Sequence, residues 1–167
     1  MIPIHEMFDT FQGEGLHMGQ HAFFIRTFGC PIACDFCDSA GTWHPDYVPK
    51  KVPRYAASEL VEEVRRSGAK ICVITGGEPL IHDLTELTEG LRNNRINSHL
   101  ETSGAFEIKG TAHFTWVTLS PKKAKLPTPK NVLLARELKL IIEQPSDIDF
   151  WYKTLVEIVP SAFYSKP

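Results

Sequence analysis

No run of apolar residues approaches the ~18 in succession that a helical membrane span requires, and the reading therefore assigns the chain no membrane partner. The first residues, Met1-Ile2-Pro3-Ile4-His5-Glu6, lack the charged start and apolar core of a signal peptide. A dominant charge of one sign is also missing. Lys and Arg number 18 against 20 Asp and Glu, a formal net charge of −2, which excludes the broad basic field that holds nucleic acid non-specifically. Repeats, low-complexity tracts and linkers are absent, and 43% hydrophobic residues are ample for one core, so residues 1–167 are expected to form a single domain. The glycines between 13 and 19 do not make a dinucleotide fingerprint, because the G-x-G-x-x-G spacing between a strand and a helix is lacking. Cysteine is scarce as well. Three of the four cysteines fall between positions 30 and 37, too close together to serve as partners for distant disulfides, and a reduced, cytoplasmic compartment is expected.

What is present is concentrated in Phe28-Gly29-Cys30-Pro31-Ile32-Ala33-Cys34-Asp35-Phe36-Cys37-Asp38-Ser39. Its C-x3-C-x2-C spacing lets three thiolates approach one metal centre, and thiolate is a soft ligand that selects zinc, copper(I) or iron–sulfur clusters. Iron–sulfur cubanes are ordinarily held by four cysteines, so a compact set of three implies a cluster with one iron left open to something other than protein. From spacing alone, a structural zinc knot with His44 or Cys72 as fourth ligand stays open. Cys72 lies within an apolar run and reads as a small buried residue.

Around this loop the elements alternate. Apolar runs predict strands at 21–28, 70–75, 97–102, 114–119, 137–142 and 162–165. Ser58 is expected to cap a helix with Leu60, Val61 and Val64 inward, ending near Gly68. Asp83 followed by Glu86 resembles a capping box opening a helix with Leu84, Leu87 and Leu91 on one side. Ser146 and Asp149 are read as caps for a third helix carrying Ile148, Trp151, Leu155 and Val159. About six strands and three helices in alternation favour an α/β fold with a mainly parallel sheet and right-handed crossovers. The polar motifs fall just after strands: the cysteine loop, Gly76-Gly77-Glu78-Pro79, Thr102-Ser103-Gly104 and Ser120-Pro121-Lys122. In parallel α/β sheets such loops gather on one face, where ligands bind, so the four are expected to line one pocket.

These motifs resemble a known family. The cysteine loop, with Phe36 just before its third cysteine, together with Thr75-Gly76-Gly77-Glu78-Pro79, is similar to the radical S-adenosylmethionine (SAM) superfamily. More narrowly, the chain resembles the 7-carboxy-7-deazaguanine synthase family. The matching motifs are Gln12-Gly13-Glu14-Gly15, Arg26 on the following strand, Cys37-Asp38-Ser39, Glu101-Thr102-Ser103-Gly104, Ser120-Pro121-Lys122 and Glu137-Leu138-Lys139. The resemblance implies a partial, modified TIM-like barrel with the cluster loop after its first barrel strand. It also implies a radical enzyme that converts 6-carboxy-5,6,7,8-tetrahydropterin to 7-carboxy-7-deazaguanine with loss of ammonia, in queuosine and 7-deazapurine biosynthesis. Cofactors implied are a 4Fe-4S cluster on Cys30, Cys34 and Cys37, SAM chelating its open iron, and Mg2+ at the Ser39 hydroxyl. An electron donor such as a flavodoxin or ferredoxin and a homodimer follow by the same analogy. Family members usually run several tens of residues further, so the resemblance also implies that the family's C-terminal tail, with its contacts to the site, is absent from this chain.

Roles for individual side chains follow from their chemistry beside that resemblance. Gly76 and Gly77 permit close backbone approach to the methionine end of SAM. Glu78, Ser120, Pro121 and Lys122 complete that side, Lys122 with positive charge and Ser120 with a hydroxyl. Glu14 suits the amidine edge of a pterin and Arg26 its carboxylate. Phe11, Gln12, Gly13 and Thr75 flank the substrate. Plainer readings stand beside these: Arg26 as a buried ion pair, Gly76-Gly77 as a simple turn, His82 and His113 as packing or surface residues. The runner-up activities are another small radical SAM enzyme, such as a glycyl-radical activase, and a non-catalytic zinc-binding module.

Overall fold

The computed structural model describes residues 1–159; the strand expected at 162–165 lies outside them. Seven strands form one sheet in the order β3-β1-β2-β4-β5-β6-β7. They are β1 (Ile2–Phe11), β2 (His21–Thr27), β3 (Arg54–Tyr55), β4 (Ile71–Gly76), β5 (Asn97–Thr102), β6 (Trp116–Leu119) and β7 (Glu137–Leu138). From β2 to β7 every pairing is parallel. At the other side β1 runs antiparallel to both β2 and β3. The helices are α1 (Ala57–Ser67), α2 (Thr85–Asn93), α3 (Pro129–Leu134) and α4 (Ser146–Ile158). This is the mainly parallel, open α/β sheet expected of a partial barrel. Among the described residues no helix is long and apolar enough to cross a membrane.

The central strands read as continuous apolar runs because both of their faces are covered. Ile25, Cys72, Ile74 and Leu100 pack beneath α1 and α2, which contribute Leu60, Val61, Val64, Leu87 and Leu91. Ala22, Ile71 and Val73 face the other way with Phe24. Cys72, on the helix-covered face, is fully buried, and burial raises its thiol pKa, as the reading of a small core residue expects.

Differences from the expected elements have local causes. The sequence reading misses β1, because the Ile2, Ile4 alternation is broken by a register shift between Ile4 and Glu6 that changes which side faces the core. It misses α3, a six-residue helix opened by Thr128, whose side chain accepts from the Asn131 N–H. Ser58 sits inside the first turn of α1, which starts one residue earlier; Glu59 reaches back to the Ala56 N–H at 2.6 Å. Asp83 accepts from the Thr85 N–H at 2.9 Å, a turn contact two residues ahead, and α2 begins at Thr85. Neither Ser146 nor Asp149 caps α4.

Asp147 organises that end instead. Its side chain is 2% exposed, accepts from the backbone N–H groups of Glu143 (2.9 Å) and Gln144 (3.3 Å), and meets Lys123 Nζ at 2.6 Å. Beside it Trp151 is buried, whereas Ile148 is 60% exposed, so α4 docks through one tryptophan and one carboxylate rather than through a full apolar stripe. Lys123 and the two backbone donors hold the Asp147 carboxyl at about 2, below its ordinary 3.8. The stabilisation is therefore complete above pH 3.8 and disappears as the pH falls through about 2. Asp147→Ala is expected to lower the melting temperature at neutral pH, and the gap from the parent chain should close on acidification through that window. Thermal melts followed by circular dichroism across the range would show it; a gap unchanged down to the lowest pH would refute the assignment.

Candidate active site

The C-terminal ends of the parallel strands carry the polar loops to one end of the sheet, as topology demands. There they line a cavity of about 440 Å3. Phe11, Gln12, Gly13, Glu14, Arg26, Cys30, Cys34, Cys37, Ser39, Thr75, Gly76, Gly77, Glu78, Ser120 and Lys122 all border it. Pro121 borders instead a neighbouring cavity of about 420 Å3, which shares Cys34 and Lys122 with the first. Asp38, Glu101, Thr102, Ser103 and Lys139 also face the main cavity; the loops of Asp38, Thr102 and Ser103 are expected there from sequence, but none of the five is given a role. All five belong to recognised motifs, so the signal was present without a role attached. Phe8 and Phe24, stacked at 5.4 Å with planes 4° apart, add an aromatic surface contributed by β1 and β2.

The root of the cysteine loop is stitched to the loop after β4. Gly77 N–H donates to the Thr27 carbonyl at 3.1 Å and Glu78 N–H to the Gly29 carbonyl at 2.8 Å. Gly76 has φ +146°, and a Cβ there would lie 2.5 Å from Thr27 backbone atoms; a Cβ on Gly77 would overlap the Gly29 carbonyl. The two glycines are required by this contact between loops, whatever ligand approaches them. Glu78 is 1% exposed. It accepts from the Leu80 N–H (3.0 Å), the Thr102 hydroxyl (2.6 Å), the Ser103 N–H (2.9 Å) and the Ser103 hydroxyl. His82, half-buried, donates from Nε2 to the Phe28 carbonyl at 2.8 Å, and burial lowers its pKa. It is a packing residue of the loop root.

The three thiols are free and partly buried. Burial is the main cause that pushes the Cys30 thiol up, with the Ile32 and Ala33 backbone N–H groups opposing. Burial also raises Cys34, against the opposing charge of Lys122; Lys122 is itself held below its usual value, mainly by burial. Among the described residues no three His, Cys, Asp or Glu side chains are grouped to hold one metal ion. Cys72 is buried in β4, and the His44 ring packs edge-on to Trp43 and tilted against Tyr47, so neither completes a four-ligand zinc knot. A cubane has no need of such convergence, because each thiolate takes a different iron. Three thiols on one cavity wall without a protein fourth ligand fit that donor set.

Charged contacts frame the rest of the cavity. Arg26 Nε donates to Glu6 at 2.7 Å and its Nη1 to the Ser39 hydroxyl at 2.9 Å, which in turn donates to Asp38 at 2.9 Å. Arg26 is thus ion-paired at one nitrogen, but the expected burial is not met because Glu6 is 48% exposed, and a second nitrogen points to the cysteine-loop end. Lys122 Nζ donates to the Ser120 carbonyl and hydroxyl, both at 2.7 Å. Gln12 donates to Glu101 at 3.1 Å, and Glu14 pairs with Lys139 at 2.5 Å.

Comparison with known proteins agrees with this arrangement. The Radical SAM superfamily profile matches residues 24–124. A 7-carboxy-7-deazaguanine synthase of Synechocystis sp. is 46% identical over 148 residues, covering 89% of this chain and 68% of that protein. The same-named protein of Flavobacterium psychrophilum is 41% identical over 150 residues, covering 90% of this chain and 68% of its own length. This chain thus spans about two thirds of either relative. The crystal structure of QueE from Escherichia coli superposes with a TM-score of 0.81 at 35% identity, covering 95% of this chain and 78% of that one. The chain belongs to the 7-carboxy-7-deazaguanine synthase family of the radical SAM superfamily.

Proposed function

We propose that the chain converts 6-carboxy-5,6,7,8-tetrahydropterin to 7-carboxy-7-deazaguanine with loss of ammonia, in the biosynthesis of queuosine and other 7-deazapurines. The observation that carries this reading is the meeting of the cysteine loop, the Gly-Gly turn, the loop after β1 and the Ser120–Lys122 segment on one cavity. Cys30, Cys34 and Cys37 would hold the 4Fe-4S cluster; with SAM bound, that group supplies the radical that removes hydrogen from the substrate. The chain's own residues bind, orient and shield.

Gly76, Gly77, Ser120, Pro121 and Lys122 are assigned to SAM. Glu78 serves the same end indirectly, since its carboxylate is taken up by four internal donors and holds the turn in shape. On the substrate side, Glu14 accepts from the amidine edge, Arg26 forks onto the carboxylate, and Phe11, Gln12, Gly13 and Thr75 flank the ring. The Phe8–Phe24 stack offers a flat apolar surface for a planar heterocycle. Ser39 is assigned to Mg2+, a hard cation that prefers oxygen. Its hydroxyl oxygen accepts from Arg26 and it donates to the adjacent Asp38 carboxylate, so Ser39 and Asp38 would offer oxygen ligands to the ion, and Arg26 would then turn from Ser39 toward substrate.

The proposal includes an external one-electron donor such as a flavodoxin or ferredoxin, a homodimer and a cytoplasmic setting. Leu138, Ile142, Ile148 and Tyr152, exposed around an apolar groove between β7 and α4, support a protein contact on that face.

After anaerobic reconstitution with iron and sulfide, the reduced protein is expected to form 7-carboxy-7-deazaguanine from SAM and the tetrahydropterin, read by mass spectrometry. Formation of 5′-deoxyadenosine without a deazaguanine product would sink the assignment in favour of an activase. A colourless chain retaining stoichiometric zinc would remove both enzyme readings. Arg26→Ala is expected to weaken substrate binding about tenfold or more, the usual loss for a charge-assisted hydrogen bond, while SAM binding is retained; unchanged substrate affinity would end the carboxylate role. For magnesium, Ser39→Ala should lose the stimulation of turnover by Mg2+ and Ser39→Thr should keep it. Equal magnesium response in all three chains would move the ion elsewhere.

A further inference from the structure

Two charged residues, Glu137 of β7 and Lys139 just past its end, have no part in the scheme above, yet both touch the loop that carries Glu14. That loop leaves β1, next to one edge of the sheet, and its contacts lie on β5, β6 and β7 toward the other. Gln12 bonds Glu101 of β5, and the His17 ring packs 4.5 Å from His99 of β5 and 4.7 Å from Trp116 of β6. On β7, Glu137 Oε2 accepts from the Leu16 N–H at 2.9 Å, and just beyond the strand Lys139 pairs with Glu14 at 2.5 Å. The seam behind the loop is closed down to about 10 Å3.

These contacts are not equal. Glu14 and Lys139 side chains are 58% and 42% exposed, and an exposed ion pair is worth little. Glu137 grips backbone, which fixes the path of the chain rather than one rotamer. Its carboxylate also lies where a side chain on Gly15 would be. Gly15 has φ +66°, and a Cβ there would overlap Glu137 Oε1. The glycine between Glu14 and Leu16 thus lets the loop close directly onto the carboxylate.

We propose that Glu137 is a positioning residue for the substrate: from β7 it clamps the loop at Gly15 and Leu16 so that Glu14 faces the cavity. Lys139 holds the Glu14 carboxylate in the free chain, standing where the donor edge of the substrate comes to lie. This rests on the assignment of Glu14 to the substrate.

The test uses the full chain, reconstituted anaerobically, with tetrahydropterin and SAM affinities measured separately by calorimetry. Glu137→Ala and Gly15→Ala are each expected to weaken tetrahydropterin binding about tenfold, the scale of one lost hydrogen bond to a charged group, with SAM affinity unchanged. Glu137→Gln keeps a carbonyl oxygen for the Leu16 N–H and should stay within about twofold of the parent. Hydrogen exchange at the Leu16 amide, read without substrate, should accelerate in Glu137→Ala and not in Glu137→Gln. A merely structural Glu137 would lower SAM and tetrahydropterin affinity together, or leave both intact, and either result overturns the proposal. Glu14→Gln separates the two levels. If it leaves tetrahydropterin affinity unchanged, the Glu14 assignment fails; if it weakens binding while Glu137→Ala does not, the clamp alone fails.

Discussion

The site depends on one buried carboxylate. Glu78, 1% exposed, sits between the turn after β4 and the loop after β5 and accepts from both: from Leu80 on its own side, and from Thr102 and Ser103 on the other. A buried carboxylate is costly unless its oxygens are satisfied, and these are, so the group enforces one relative position of two loops. The same turn is pinned to the root of the cysteine loop by Gly77 and Glu78 N–H groups on the Thr27 and Gly29 carbonyls. Three strand ends are thereby fixed together before any ligand arrives. The Gly-Gly-Glu run thus does structural duty at all three positions, and its value to a ligand lies in the surface left exposed once those contacts are made.

Most of this was legible in the sequence where the physics is local or periodic. Apolar runs located β2, β4 and β5 closely, because strands covered on both faces carry no competing pattern. The placement of motifs after strands predicted their convergence, because parallel sheets bring those ends together. What escaped depends on contacts distant in sequence. Asp147 looks like an ordinary first-turn acid of a helix, and only the fold shows its contact with Lys123, 24 residues away. Glu137 lies 121 residues from Leu16, the backbone group it holds. β1 was lost because a bulge shifts the phase of its alternation, and the two-residue β3 has no pattern at all.

Arg26 shows how a plain and a functional reading can describe one side chain. Its Nε–Glu6 contact joins β2 to β1 across the antiparallel pair, while Nη1 reaches the Ser39 hydroxyl and, through it, Asp38. The ion pair sets the direction of the guanidinium, and the remaining face is the part available to chemistry. Structural anchoring is the means by which such a flexible side chain is aimed.

The electrostatics of the cavity follow a similar division between what is built in and what a ligand must supply. Burial raises Cys30 and Cys34 and lowers Lys122, so the low-dielectric wall disfavours charge on both Cys34 and Lys122, which border the same cavities. Each group opposes the other's shift, which means that converting Cys34 to thiolate raises Lys122 and favours its ammonium form. Metal ligation requires the thiolate. Cys34 would therefore be held as thiolate in a cluster, next to Lys122 on the segment assigned to SAM. The backbone of the site is preformed by Glu78 and the glycines, whereas its charge pattern is completed only on loading. That order has a physical basis: rigid hydrogen-bonded loops can be set during folding, but three neighbouring thiolates in a half-buried wall repel one another until a cation holds them.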